Sequence, residues 1–220
     1  MPLSCLRQHH AREIDDAPPR LADAQLSRKE VVRRGSVALT AVAGGVGFAA
    51  SRTAAAAVAT PSAAQDRQIL NFALLLEYLQ ADFYGDALKK ARLSGDVRSF
   101  AEVVAEHERA HVAYLRKALG VHARPRPRFA FDEATRRERS FLDAAVVLEN
   151  VGVLAYNGQA ANLTKPVLAA AAEIVSVEGR HAAWISDLAG HEPAPRAADV
   201  GVSAEEALRT LRAAGLLKTR

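Results

Sequence analysis

The same arrangement of polar residues occurs twice in this chain, each time inside sequence that is otherwise apolar and helical in character. In each half a glutamate is followed seven residues later by a tyrosine, and the next segment carries Glu-x-x-His-x-x-aromatic. The residues are Glu77, Tyr84, Glu108, His111 and Tyr114, and then Glu149, Tyr156, Glu178, His181 and Trp184. A chain with this pattern must place charged groups next to its hydrophobic core.

Two of these glutamates have apolar neighbours on nearly every side of the predicted helix. Glu77 lies in ILNFALLLEYL, and Glu149 lies in AAVVLENVGVLAY. A helix that is apolar nearly all round is buried on most of its faces. Because a buried carboxylate without a partner costs several kcal/mol or takes up a proton, both glutamates require partners inside the protein.

Four long segments have helical character, and turn-forming residues separate them. We expect helices over residues 64–93, 97–119, from 132 or 136 to 160, and 167–189. Gly120 is suited to end the second helix and Pro166 to open the fourth. Ser203 is a typical N-cap for a short fifth helix, and Glu206 completes a capping box. No stretch alternates apolar and polar residues for long enough to predict a strand.

The lengths of the connections predict how the helices are arranged. Short turns join the first helix to the second and the third to the fourth, whereas VHARPRPRFAF (121–131) is a longer link. Its prolines favour an extended conformation. Two helical hairpins joined by one long link are typical of a four-helix bundle with one long crossover. The predicted fold class is therefore all-α, with residues 60–220 forming the bundle, the short C-terminal helix and a C-terminal extension.

Residues 1–59 have the layout of an export signal. The basic segment SRKEVVRRG precedes a weakly hydrophobic segment, VALTAVAGGVGFAA, and the small residues of AAAAVAT then suit cleavage after Ala59. The hydrophobic segment is too short to span a membrane. Arg33 and Arg34, or Arg28 and Lys29, favour the twin-arginine route, although Lys29 replaces the second arginine of the usual pattern and no phenylalanine follows. We expect an exported, extracytoplasmic protein; the alternative is a disordered basic tail.

Charge and cysteine content exclude two kinds of site. Residues 1–59 carry +3 of the formal net charge of +4, from 8 basic and 5 acidic side chains. No run in residues 60–220 interleaves basic and aromatic residues, so we do not expect nucleic-acid binding. The single cysteine, Cys5, lies in the predicted signal. The mature chain would therefore have neither disulfides nor thiolate metal ligands.

The spacing of the charged residues predicts a site for two metal ions. Residues i and i+3 lie about 60° apart on one helix face, so a Glu-x-x-His pair can share one ion. One glutamate from each of two helices, with Glu-x-x-His from each of the other two, is a two-metal arrangement. The predicted ligands are Glu77, Glu108, His111, Glu149, Glu178 and His181. Oxygen-rich ligation with one histidine per ion suits iron or manganese better than copper, and it does not exclude zinc.

Other polar residues near these positions have less support from the pattern. His107 could be a ligand, but Val177 stands at its counterpart position in the second half. Charged residues outside the repeat are predicted to be solvated, namely Glu102, Glu106 and Glu173. Tyr84 and Tyr156 lie two turns after the first glutamate of each half, where their hydroxyls can hydrogen-bond a ligand or a solvent molecule.

Several stretches of the chain carry a resemblance to a known family. They are ILNFALLLEYLQADFY (69–84), EHERAHVAYLRKALG (106–120), LENVGVLAYNGQAANL (148–163), VEGRHAAWI (177–185) and PAPRAADVGVS (193–203). Over residues 65–211 the chain resembles the ferritin-like domain family that includes plant desiccation-related proteins and many exported bacterial proteins. Two departures are Gly179, where a helix former is expected, and Ala198, where an aromatic residue is expected.

The resemblance implies a ferritin-like four-helix fold and metal ligation by the same six residues. By similarity to two-metal members, Glu108 and Glu178 would bridge the ions, and Glu77 and Glu149 would be terminal ligands.

Three functions are compatible with these residues. The first is an iron or manganese oxidoreductase acting on O2, peroxide or ferrous iron, in which Tyr84 or Tyr156 could supply an electron or orient the oxidant. The second is a metal-binding or stress-protective protein without turnover. The third is a metal-free bundle that binds a partner, against which the complete ligand set argues.

Overall fold

The computed structural model describes residues 60–218, and within them the chain is helical and contains no strand. The α-helices are α1 (Ala63–Lys90), α2 (Gly95–Leu119), α3 (Glu138–Gln159), α4 (Lys165–Leu188) and α5 (Ala204–Ala213). Three short 3-10 turns lie at Gly120–His122, Asp132–Thr135 and Ala160–Asn162. The predicted all-α class and the short C-terminal helix are confirmed. The predicted signal region, residues 1–59, lies outside the described residues.

The helices begin at capping residues that the sequence provides. The side chain of Ser62 accepts a hydrogen bond from the amide of Gln65 at the start of α1, and Ser203 does the same for α5. Pro166 lies in the first turn of α4. The third helix begins later than expected, because residues 132–135 form a 3-10 turn that starts at Asp132 with a φ of 45°. Arg137 is then extended, with φ −133° and ψ 145°, so the α-helix begins at Glu138.

The first four helices form two hairpins that pack into one bundle. α1 packs along α2, and α3 packs along α4; the hairpins meet where α1 contacts α3 and α2 contacts α4. Residues 120–137 form the long crossover between the hairpins, so the predicted topology is confirmed. None of the helices in residues 60–218 combines the length and apolar character that a membrane span needs.

The crossover is attached to α1 at both of its ends. Asn71 donates a 3.0 Å hydrogen bond to the carbonyl of His122 and accepts a 2.8 Å hydrogen bond from the amide of Arg124. Farther along, the rings of Phe131 and Phe83 make an edge contact with centroids 5.5 Å apart. These contacts hold the link against the bundle and close the core beside it.

The segment after α4 returns to α3 and packs tightly against it. The amide of Val202 donates a 3.0 Å hydrogen bond to the carbonyl of Leu154. Gly158 and Gly201 face each other there, and a Cβ atom built on Gly158 would lie 1.8 Å from the carbonyl oxygen of Val202. Two glycines are thus needed for the backbones to approach this closely. The contact supports the helix that carries Glu149 and Tyr156.

Candidate metal centre

The structure brings all six predicted ligands together in the middle of the bundle. They come from four helices: Glu77 from α1, Glu108 and His111 from α2, Glu149 from α3, and Glu178 and His181 from α4. All four glutamates are fully buried. The side chain of His181 is 3% exposed and that of His111 is 12% exposed. The i, i+3 spacing therefore places each histidine beside its glutamate, as the helical repeat requires.

Two overlapping groups of side chains in this cluster could each hold a metal ion. The His111 half consists of Glu77, Glu108, His111 and Glu178. The His181 half consists of Glu108, Glu149, Glu178 and His181. Within each half, one ligand atom per residue lies within 4.8 Å of the others. Glu108 and Glu178 belong to both halves, whereas the remaining two glutamates belong to one half each.

The two shared glutamates reach the two histidines in different ways. Glu108 presents a different oxygen to each histidine: Oε2 lies 3.5 Å from Nδ1 of His111, and Oε1 lies 3.2 Å from Nδ1 of His181. Glu178 instead presents the same oxygen, Oε1, at 3.2 Å from Nδ1 of His111 and 3.6 Å from that of His181. Glu77 and Glu149 lie beside one histidine each, with Glu77 Oε2 at 3.2 Å from Nδ1 of His111 and Glu149 Oε2 at 3.4 Å from Nδ1 of His181.

Several atoms at the middle of the cluster are buried and have no hydrogen-bond partner in the described part of the chain. They are Oε1 and Oε2 of Glu108, Oε2 of Glu149, Oε1 of Glu178 and Nδ1 of His181. Native proteins leave few buried polar atoms unpaired, because each one costs the free energy of its lost hydration. The unpaired atoms are oxygens and one imidazole nitrogen that converge on one place. This donor set fits a hard or borderline divalent cation.

Tyrosine hydroxyls hold one oxygen of Glu77 and one oxygen of Glu149. The hydroxyl of Tyr84 donates to Oε1 of Glu149, and that of Tyr156 donates to Oε1 of Glu77, both over 2.6 Å. Each tyrosine thus bonds the glutamate of the other sequence repeat, not the glutamate on its own helix. Both hydroxyls contact a carboxylate directly, because α1 and α3 lie side by side, and hydrogen bonding to a ligand or a solvent molecule stays a prediction.

Gln80 is a further residue of the centre, which the sequence pattern did not identify. It is 1% exposed, and its Nε2 lies 3.2 Å from Oε1 of Glu149 and 3.2 Å from Oε2 of Glu178. A carboxylate only accepts hydrogen bonds, so the amide NH2 group is the donor. The signal in the sequence was a single amide three residues after Glu77, on the same face of an apolar helix.

His107 lies beside the predicted ligands and belongs to neither group. Its side chain is at the surface, and its Nδ1 lies 2.9 Å from Nε2 of His181. His107 therefore contacts a predicted ligand, and it is absent from both groups that could hold a metal ion. The residues predicted to be solvated, namely Glu102, Glu106 and Glu173, are all exposed.

Burial and charge crowding shift the pKa values of the central groups. Burial, reinforced by the charge of Glu77, raises the pKa of Glu178 to about 7. Burial and the charges of Glu178 and Glu77 raise the pKa of Glu108 well above its ordinary value. Burial alone would lower the pKa of His111, but hydrogen bonds to Glu108, Glu178 and Glu77 outweigh it and raise this pKa to about 12. Each of these three shifts favours the protonated form of its group, so protons would compete with a metal ion for these atoms.

A family comparison covers the same part of the chain. The sequence matches a family model described as a ferritin-like domain over residues 65–191, which include α2, α3, α4 and nearly all of α1. A comparison with curated proteins gives no match. The matched region spans more than half of the 220 residues and contains all six side chains of the buried cluster. The chain belongs to the ferritin-like domain family.

Proposed function

We propose that this protein binds two iron or manganese ions in one dinuclear centre and uses them for redox reactions with O2, peroxide or ferrous iron. The observation that carries the proposal is the sharing of Glu108 and Glu178 between the two halves. Glu108 offers one oxygen toward each histidine, and Glu178 offers one oxygen to both. Shared carboxylates of this kind favour two adjacent ions over one ion or two separate ones.

The charge of the ligand set supports two divalent ions. Four carboxylates bring a formal charge of about −4 when all are ionised, which two divalent ions would neutralise. Each half offers one imidazole and otherwise carboxylate oxygens. Such oxygen-rich ligands favour iron or manganese over copper.

The surrounding side chains would orient the ligands and exclude bulk water. When bound, the metal ions would donate electrons to O2 or peroxide and accept them from ferrous iron. Burial and the charge of Glu149 raise the pKa of Tyr84, and burial and Glu77 do the same for Tyr156, so both remain phenols that donate to these carboxylates. Supply of an electron by either tyrosine stays a prediction.

The space next to the cluster can admit small reactants. The crevice beside Tyr156 has a volume of about 10 Å³, roughly that of one water molecule. An open depression of about 200 Å³ lies beside His111. The depression beside His111 is large enough to admit O2, peroxide or a metal ion.

The place of action and the alternative function form part of the proposal. The layout of residues 1–59 supports export to the periplasm or the extracellular space by the twin-arginine route. The alternative is a metal-binding, stress-protective or structural bundle without turnover. Both readings require bound metal, and they differ in whether the metal reacts.

Elemental analysis of the purified protein tests the proposal first. We expect about two iron or manganese ions per chain, after anaerobic reconstitution if needed, and a change in the optical spectrum on exposure to O2 or peroxide. Glu108→Gln should lose at least one ion, because it removes a ligand of both halves. Glu106→Gln is the matched control, since Glu106 lies on the same helix and is exposed.

The outcomes separate the two functions. If two ions bind and react with neither oxidant, the result would support the alternative function without turnover. Fewer than about half an ion per chain after reconstitution, or two ions retained by Glu108→Gln, would refute the dinuclear centre.

A further inference from the structure

The sequence repeat differs between its two copies at two positions. In each case the polar residue of the first copy contacts the His181 half. Gln80 stands three residues after Glu77, and Gly152 stands three residues after Glu149. His107 directly precedes Glu108, whereas the residue before Glu178 is Val177. The ligands thus repeat, but the side chains that support them do not.

Gln80 supports ligands of the His181 half. Its amide donates to Glu149, the terminal glutamate of this half, and to the shared Glu178. Gly152 makes this possible, since a Cβ atom there would lie 3.1 Å from Oε2 of Glu178 and 3.5 Å from Nε2 of Gln80. Because Gly152 has no side chain, α3 offers no equivalent amide to Glu77.

His107 supports the histidine of the same half. It holds Nε2 of His181 at 2.9 Å, and the two rings stack with centroids 5.2 Å apart and an interplanar angle of 18°. A bond at the outer nitrogen of a histidine fixes the orientation of its ring and keeps the inner nitrogen, here Nδ1, directed at the carboxylates. Within residues 60–218 no side chain makes such a bond to Nε2 of His111.

The His111 half is the part of the centre that solvent reaches. Among the six side chains His111 has the largest exposure, 12%, against 3% for His181 and none for the glutamates. It lines the open depression of about 200 Å³ between α2 and α4, together with Tyr114 and Glu173. The exposed carboxylate of Glu173 gives this opening a charge that attracts cations.

From these contacts we propose that the two halves of the centre bind divalent cations unequally. The His181 half retains its ion, because Gln80 and His107 hold its ligands in position. The His111 half exchanges its ion with solvent through the depression beside Tyr114 and Glu173. Gln80 and His107 are positioning residues, and the proposal rests on the dinuclear centre proposed above.

Release of Mn²⁺ into excess chelator tests this inequality without any measurement of activity. Metal-free protein is loaded with Mn²⁺, freed of unbound metal and mixed with the chelator, and released Mn²⁺ is followed with time. We expect two ions per chain and two phases of release whose rates differ by at least ~10-fold, the usual effect of outer hydrogen-bond partners on a metal site. A single phase that releases both ions would overturn the proposal.

Two substitutions assign the phases to the halves. His111→Ala should remove the fast phase and keep the slow one, and His181→Ala should do the reverse. The opposite assignment would overturn the proposal. If the wild-type protein binds fewer than about two ions, the dinuclear centre itself fails, which is distinguishable from two ions of equal release.

His107→Val tests the positioning role directly, because valine is the residue at the equivalent position of the second sequence repeat, Val177. We expect the slow phase to accelerate by ~10-fold and the fast phase to keep its rate. His107 is at the surface, so the thermal midpoint of the metal-free protein should change little. Glu106→Gln, on the neighbouring exposed position, should change neither phase. Equal acceleration of both phases, or of neither, by His107→Val would contradict the role.

Discussion

The hydroxyl of Tyr84 in α1 lies 2.6 Å from Oε1 of Glu149 in α3, so a residue of the first half of the repeat holds a predicted ligand of the second half. Tyr156 makes the reciprocal bond to Glu77, also over 2.6 Å. The two hydrogen bonds cross between adjacent helices and leave the other oxygen of each carboxylate directed at a histidine. The terminal carboxylates are therefore oriented by the protein fold.

Removal of the Tyr84 hydroxyl should weaken both metal binding and the fold. Tyr84→Phe leaves Gln80 as the remaining donor to Oε1 of Glu149, so the carboxylate stays bonded but less constrained. We expect the affinity for Mn²⁺ to fall ~10-fold and the free energy of unfolding to fall by about 1–2 kcal/mol. Calorimetric titration and thermal denaturation measure the two effects.

Tyr114→Phe is the control for this substitution, because Tyr114 is 41% exposed. It should leave both quantities close to those of the wild-type protein. An unchanged Mn²⁺ affinity in Tyr84→Phe would show that the bond to Glu149 does not position a ligand.

The metal-free protein should become less stable as the pH rises from about 5 to about 8. The folded-state pKa of Glu178 is about 7, above its ordinary value of 4.5, so in this interval the folded state holds a proton that the unfolded state releases. His111 acts in the same direction above its ordinary value of 6.5, since its folded-state pKa is about 12. As the pH rises, stability falls wherever the folded state binds more protons than the unfolded state.

Thermal midpoints measured across this pH interval check the sign. We expect a fall of several degrees without metal and a stabilisation by Mn²⁺ that grows with pH, because the cation competes with protons for the same atoms. Glu178→Gln should flatten the lower part of the metal-free profile. A midpoint that rises from about pH 5 to about pH 8 without metal would contradict the proposed direction.

Gly158→Ala should destabilise the bundle where the C-terminal segment meets α3. The added Cβ would lie 1.8 Å from the carbonyl oxygen of Val202, and both sides of this contact are backbone. We expect a loss of roughly 2–3 kcal/mol, or roughly 5–10 °C in the thermal midpoint. The matched control is Gly85→Ala, because a Cβ atom on Gly85 in α1 meets nothing within 4 Å. Equal midpoints for the two variants would refute the close approach.

Asn71→Ala should loosen the crossover from α1. It removes the donor to the carbonyl of His122 and the acceptor of the amide of Arg124. We expect a cost of about 1–3 kcal/mol and faster trypsin cleavage after Arg128, which is followed by phenylalanine, whereas the two preceding arginines are followed by proline. Asn150→Ala is the control, since Asn150 bonds only the carbonyl of Val146 in its own helix. Equal cleavage rates in the two variants would exclude this role.

The sequence by itself determined the helices and the set of side chains that share each helix face. Helical geometry is local, so the spacing of Glu108 and His111, or of Glu178 and His181, places each pair together whatever the rest of the chain does. The burial of Glu77 likewise follows from its apolar neighbours. These local rules were sufficient to predict all six side chains that the bundle brings together, and the long crossover between the hairpins.

Only the tertiary structure decided which groups meet between helices. The bonds of Tyr84 and Tyr156 cross to the opposite glutamates, because the packing of α1 against α3 sets that distance. Gln80 is uncharged, so the pattern of charged residues did not identify it. Its amide fits between Glu149 and Glu178 because Gly152, on the neighbouring helix, has no side chain. Contacts between residues far apart in sequence depend on the relative positions of whole helices, which the spacing within one helix does not contain.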